Sequence, residues 1–189
     1  MIRIGILASG TGSNAIRIMA HFADHPRARV TLLVTNNAAC GAIPEAEMRG
    51  IAVHLITRHQ LAEQETVQQL RQHCDVLVLA GFLLLVPENL VQAFPYRILN
   101  LHPALLPKFG GKGMYGMHVH RAVKAAGEKE TGITIHVVNE KFDDGPVIAR
   151  FSTPVMPADS PADIAQRVQQ LEHAHFAAVV ESYIAGINA

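Results

Sequence analysis

Apolar residues recur along this chain in two alternating rhythms. Short β-branched runs at residues 2–7, 30–34, 52–56 and 75–80 read as strands. Between them, apolar positions return at helical spacing over residues 13–22 (Ile16, Ile18, Met19, Phe22), 43–49 and 60–73. Val76, Leu77, Val78 and Leu79 form an unbroken apolar run, as expected of a strand covered on both faces. This alternation predicts an α/β fold, an open twisted, mostly parallel sheet flanked by helices and joined by right-handed crossovers.

The texture changes after a further strand at residues 97–101. Glycines and prolines crowd residues 103–116, which read as a loop. A helix is expected at 118–126, then strands at 132–138 and 147–155 joined by the turn residues Asp143-Asp144-Gly145. Ser160, Pro161 and Asp163 supply an N-cap, a first-turn proline and an N3 acid for a last helix. That helix is expected to run to about residue 185 and to stop at Gly186.

Composition narrows the function classes. The chain has 189 residues, which is about one domain. Sixteen basic side chains balance sixteen acidic ones, so no global field points to nucleic acid or an anionic membrane. Apolar residues reach 49% and charged ones only 17%, the reverse of a disordered chain. The apolar stretch at 76–86 is too short to span a bilayer. The apolar start runs directly into a glycine loop and is expected to be a strand, not a signal peptide. Cys40 and Cys74 lack metal or redox spacing, so two free thiols in a reducing cytoplasm are expected. Eleven histidines are a surplus that only position can explain.

Two constellations carry chemistry. The first is Ser9-Gly10-Thr11-Gly12-Ser13-Asn14, set between a strand and a helix. Glycines there allow a tight turn and bring backbone N–H groups to an anion at the helix N-terminus. Three readings stand: a phosphate monoester site, a dinucleotide site, or a tight turn with no ligand. The second strand ends Val34-Thr35-Asn36-Asn37, without the acid a dinucleotide ribose requires. The second constellation is Asn100 and His102, two residues apart and so on one face of a strand end, with a carboxylate from the Asp143-Asp144 turn. Asparagine can donate to a developing oxyanion, and histidine can move a proton near neutral pH. The carboxylate is expected to orient the imidazole and raise its pKa.

Asn100-Leu101-His102-Pro103-Ala104-Leu105-Leu106-Pro107, then Gly132-Ile133-Thr134-Ile135-His136, then Asp143-Asp144-Gly145 follow one another in the order N-x-H-P-x-L-L-P, G-x-T-x-H and D-x-G. Together with the front loop they resemble the folate-dependent formyltransferases over essentially the whole chain. The resemblance implies a Rossmann-like core as a single domain over residues 1–189. Residues 1–100 would form its phosphate-binding half and 101–189 its catalytic and folate-binding half. It implies transfer of a formyl group from 10-formyltetrahydrofolate to the glycinamide amine of 5-phosphoribosylglycinamide, a step of purine biosynthesis.

On this resemblance Asn100, His102 and Asp143 form the catalytic trio, with protonated His102 and Asn100 on the oxyanion. Gly12, Ser13 and Asn14 meet the ribose phosphate, and Glu172 contacts the same substrate. Leu83, Leu84, Leu85, Val86, Asn139, Glu140 and Phe142 form the folate pocket, and Arg58 faces the folate tail. Leu84 stands where some members carry arginine, and the glycine-rich stretch 109–117 reads as a mobile flap that excludes water. The implied enzyme works on small molecules in the cytoplasm, as a monomer or weak homodimer, without metal, nucleic acid or membrane. His118/His120 and His173/His175 are spaced two apart, which on a helix sets them about 200° apart and argues against shared metals. His136 is expected to support the active-site loops, and the remaining histidines to sit on the surface or in packing. Two alternatives remain: a formyltransferase acting on an amino sugar nucleotide, and a non-catalytic sugar-phosphate-binding module.

Overall fold

The computed structural model describes residues 1–187, and seven strands in it form one sheet in the order β3-β2-β1-β4-β5-β6-β7. These are β1 (Ile2–Leu7), β2 (Ala28–Thr35), β3 (Ala52–Leu55), β4 (Val76–Leu79), β5 (Ile98–His102), β6 (Glu130–Val137) and β7 (Val147–Pro154). The first five pair in parallel, while β6 and β7 pair antiparallel to their neighbours, so the sheet is mostly parallel. The helices are α1 (Ser13–His21), α2 (Ile43–Met48), α3 (Arg58–Leu61), α4 (Gln64–His73), α5 (Glu88–Ala93), α6 (Met117–Ala125) and α7 (Pro161–Ile187).

Two apolar layers cover the sheet. On one face Ile4, Ile6, Val76, Val78, Leu99, Leu101, Ile133 and Ile135 pack beneath α1, α6 and α7, with Ile18, Val123, Val168 and Phe176. On the other, Leu7, Leu32, Leu77, Leu79 and Ile98 meet Leu61, Val67, Leu70, Leu90 and Phe94 from the shorter helices. Residues two apart share a face, so Asn100, His102, Thr134 and His136 turn away from the first layer.

The chain departs from the sequence pattern in three places. The helix expected at 60–73 is two helices. Thr57 and Gln60 close a capping box that begins α3, and Glu63, in an extended conformation, ends it and starts α4. In one continuous helix Leu61 and Leu70 would face opposite sides, about 180° apart; the break lets both bury. The short helix α5 has no counterpart in the pattern. Gly186 does not end α7, which continues to Ile187. The N-terminal expectation holds, with Ser160 Oγ accepting from the Asp163 N–H and Asp163 Oδ2 accepting from the Ser160 N–H.

Candidate active site

The glycine loop leaves β1 beside the carboxyl ends of β1 and β4. Gly12 has φ +74°, and a Cβ on it would lie 2.5 Å from Ala42 N, so both conformation and space demand glycine. The first intrahelical bond of α1 runs from Ile16 N to Gly12 O, which leaves the Ser13 and Asn14 N–H groups ahead of the helical ladder. The Asn36-Asn37 pair, where a dinucleotide enzyme would carry an acid, instead fixes the loop. Ser9 Oγ donates to Asn36 Oδ1 at 2.6 Å, and Asn37 Nδ2 donates to Ser9 O at 2.9 Å. Ser9 Oγ also accepts from the Leu83 N–H at 3.1 Å, which ties this loop to the segment after β4.

Antiparallel pairing of β5 with β6 sets Asn100 opposite His136 and His102 opposite Thr134. Asn100 Nδ2 lies 3.1 Å from His136 Nε2 and 3.5 Å from Asp143 Oδ1. His136 Nδ1 donates to Val137 O at 3.0 Å, so Nε2 is the nitrogen left to accept from Asn100. His102 Nε2 is 2.8 Å from Phe109 O, and Nδ1 is 3.4 Å from Asp143 Oδ2. Asp143 is carried back over this face by the loop after β6, at φ +51°, and Gly111 N donates to its Oδ2 at 2.9 Å. A left-handed aspartate backbone is a strained placement, kept by its surroundings. Gly110 passes close by, where a Cβ would meet Leu106 Cδ2 at 2.5 Å.

Electrostatics corrects one expectation. Burial pushes the His102 imidazole below its ordinary pKa, and the Asp143 carboxylate and the Phe109 carbonyl only partly offset this. The ring is 3% exposed, so the cost of desolvating its charge outweighs the neighbouring acid that was expected to raise it. Burial would raise Asp143, but its contacts with His136, His102 and the Gly111 N–H prevail and hold it below the usual carboxylate range. Burial raises Glu172, opposed by its hydrogen bond from Asn14 Nδ2 at 2.7 Å.

These groups line one cavity of about 360 Å³. Its lining includes Gly12, Ser13, Asn14 and Glu172, then Leu83, Leu84, Leu85, Val86, Asn139 and Phe142, together with Asn100, His102 and Asp143. Two expected residues are not brought there. Arg58 begins the short α3 and lies outside the cavity lining, and Glu140 is exposed between lining neighbours. Both sit on surface segments whose alternation or capping turns them outward.

The structure adds residues that the sequence pattern did not assign to the site. Gln169, one turn before Glu172 on α7, lines the cavity, and its i, i+3 spacing was the available signal. His120 also lines it, 6% exposed, with Nδ1 lacking a partner. Thr134 Oγ1 donates to Ala104 O at 2.7 Å and accepts from Leu106 N at 3.0 Å, which anchors the loop after His102. Among the histidines expected at the surface, His21 is exposed and His25 half-buried, and both flank Glu181 of α7, at 2.7 and 3.1 Å. His175 stacks on Phe151 with ring centroids 3.8 Å apart, a packing role.

The open, mostly parallel sheet carries an Asn–His–Asp cluster beside a glycine loop, and the formyl transferase family model matches residues 2–180: the chain belongs to that family. It is 42% identical over 186 residues to phosphoribosylglycinamide formyltransferase, chloroplastic, of Arabidopsis thaliana, covering 94% of this chain and 64% of that protein. The chain thus spans less than two thirds of the length of that relative. Against phosphoribosylglycinamide formyltransferase of Escherichia coli (strain K12) it is 33% identical over 192 residues, covering 98% of this chain and 88% of the other. The solved structure of glycinamide ribonucleotide transformylase 1 from Symbiobacterium toebii aligns with TM-score 0.88 and 29% identity, over 98% of this chain and 89% of that one. Among the described residues, no helix is long and apolar enough to cross a membrane.

Proposed function

We propose that this protein transfers the formyl group of 10-formyltetrahydrofolate to the glycinamide amine of 5-phosphoribosylglycinamide, in purine biosynthesis. The observation that carries this reading is the Asn100–His102–Asp143 cluster, which shares one cavity with the glycine loop and the apolar 83–86 segment. The phosphate meets the Gly12, Ser13 and Asn14 backbone, and Glu172 takes donors from the same substrate. The pterin and its aromatic linker fit the apolar end formed by Leu83, Leu84, Leu85, Val86, Asn139 and Phe142. Relatives that carry the phosphoribosylglycinamide name favour this acceptor over an amino sugar nucleotide.

In the reaction the acceptor amine attacks the formyl carbon, and the carbonyl electron pair moves onto oxygen. Asn100 Nδ2 supplies the donor for that oxyanion. His102, held neutral by burial, accepts the proton released by the attacking nitrogen. The imidazolium so formed faces the Asp143 carboxylate, which stabilises it. Collapse of the intermediate breaks the bond to the folate nitrogen, which takes as it leaves the proton that the His102 imidazolium returns. Exclusion of water by the 109–117 loop would keep the formyl group from hydrolysis. The neutral charge balance suits a cytoplasmic enzyme of small molecules, monomeric or weakly dimeric, with residues 1–100 and 101–189 acting as one domain.

The test is the absorbance change on formyl transfer to phosphoribosylglycinamide. Activity in the wild type, with a loss of ~10²–10⁴ in kcat for His102→Ala and retained substrate binding, is the expected result. A folded protein with no transfer to this acceptor overturns the reading. The non-catalytic alternative predicts phosphate binding with no transfer at all.

A further inference from the structure

A second cavity, of about 670 Å³, opens at the amino ends of β1 and β2, the sheet edge opposite the one that holds the active site. Arg3, Arg29, Arg49 and His73 line it, and among the described residues no aspartate or glutamate does. Arg3 and Arg49 pair with acids outside the lining, Asp75 at 2.7 Å and Glu45 at 2.6 Å, while Arg29 has no ion pair among the described residues.

Strand register makes this arrangement costly. Arg3 and Arg29 are direct partners across the parallel β1–β2 pair, so two guanidinium groups leave one face of the sheet side by side. Like charges at such positions repel, and Asp75 offsets only the first of them. An exposed arginine set beside another cation, facing a cavity without acids, is a place prepared for an anion. The rest of the lining suits more than a bare anion. Val30 and Ile51 are half-buried and offer an apolar wall. His73 Nδ1 donates to Gln69 O at 2.8 Å, so Nε2 is left to accept from a ligand hydroxyl or amine. Thr31 Oγ1 donates to His73 O at 2.9 Å and holds that end of α4 against β2. The volume takes a molecule of nucleotide size.

We propose that this cavity is a second ligand site, for a nucleoside phosphate. Its phosphates sit on Arg29 and Arg49, its base lies against Val30 and Ile51, and a hydroxyl or amine meets His73. The site is separate from the Asn100–His102–Asp143 cluster and does not depend on which acceptor the enzyme uses.

The probe is ADP, with pyrophosphate and adenosine as its two parts. Each is titrated calorimetrically, without divalent cations, into wild type, Arg29→Ala, Arg29→Glu, Arg29→Lys and Arg49→Ala. Wild type is expected to bind ADP more tightly than either part. Arg29→Ala weakens ADP about 10-fold, the usual loss of a hydrogen bond to a charged group, and Arg29→Glu weakens it further. Arg29→Lys falls between wild type and Arg29→Ala, because an ammonium lacks the planar fork. Arg49→Ala costs roughly 5-fold, since that guanidinium is already shared with Glu45. The Arg29→Ala protein should melt no lower than wild type, as it loses a like-charge neighbour, and ADP should raise its Tm less. Formyl transfer without nucleotide should be the same in wild type and the Arg29 variants. Equal ADP affinity in wild type and Arg29→Glu overturns the inference, because a nucleotide held in the active-site phosphate loop would bind both alike. Absence of ADP binding overturns it as well, and pyrophosphate binding as tightly as ADP overturns the nucleoside assignment.

Discussion

Asn100 and His136 face each other across β5 and β6, with Nδ2 3.1 Å from Nε2, and the strand register alone brings them together. Because His136 Nδ1 is committed to Val137 O, the imidazole accepts and the asparagine amide must donate. Its other N–H points toward Asp143 Oδ1 at 3.5 Å, a contact at the outer limit of hydrogen bonding that gives way when an oxyanion comes within reach. The pair therefore sets which way the amide faces, and that orientation is what an oxyanion donor needs.

Removing the donor and removing its orienter should have linked effects. Asn100→Ala is expected to lower kcat by ~10²–10³, the usual loss of one oxyanion donor. His136→Phe, which keeps a ring but loses the acceptor, should lower kcat roughly 10-fold with the acceptor KM little changed. The double variant should be no worse than Asn100→Ala, since the histidine acts through the amide. Steady-state kinetics on the three proteins checks this; additive losses would separate the two residues.

Stability should fall as pH drops below about 6.5, the ordinary histidine value. Burial lowers His102 and His120 in the folded protein. In the window between their folded values and 6.5, the unfolded chain holds more protons, so acidification favours unfolding. Glu172, raised by burial, works in the opposite sense, gaining its proton more readily in the folded state. The difference between wild type and His120→Asn isolates one contribution. The Tm of the variant should change less between pH 7.5 and pH 5 than that of wild type; an identical slope would count against a buried neutral His120.

Glu172 is expected to lower stability at neutral pH while serving the acceptor end of the cavity. A raised carboxyl pKa means that its charge opposes folding above its unfolded value. Glu172→Gln keeps an oxygen for Asn14 Nδ2 and removes that charge. The variant should melt higher than wild type at pH 7.5, with the gap narrowing at pH 5, while its KM for phosphoribosylglycinamide rises. Thermal melts at both pH values and acceptor kinetics measure the two sides.

Thr134 holds the loop after His102 through one hydroxyl. Thr134→Val leaves Ala104 O and Leu106 N without that partner in a fully buried place. The loss should be about 1–3 kcal/mol, which for a chain of this size is roughly 2–12 °C in Tm. Thr134→Ser should recover most of it in the same melting assay.

The parts of the fold legible in sequence were those with local causes. The strand at Ile2–Leu7, the helix from Ser13 and the cap at Ser160 depend on spacing, glycine and capping within a few residues. The α3–α4 break was hidden because it satisfies the burial of Leu61 and Leu70 against other elements, not a local breaker. In the site, Asn100 with His102 followed from two-residue alternation, and the loop glycines from their conformational needs. For Arg58 no local pattern states which way an exposed helix start faces, and the structure leaves it at the start of α3, outside the cavity lining.

The sequence by itself determined the α/β alternation, the glycine loop, the motif order that resembles formyltransferases, and the residue types able to do the chemistry. Tertiary structure decided how these meet. The register of β5 on β6 set Asn100 against His136, and the returning loop brought Asp143 to His102. Burial set the proton affinity of His102 against the expected direction, because desolvation depends on everything packed around the ring. Contacts between residues far apart in the chain, and the loss of water that comes with them, are properties of the packed molecule that no local pattern encodes.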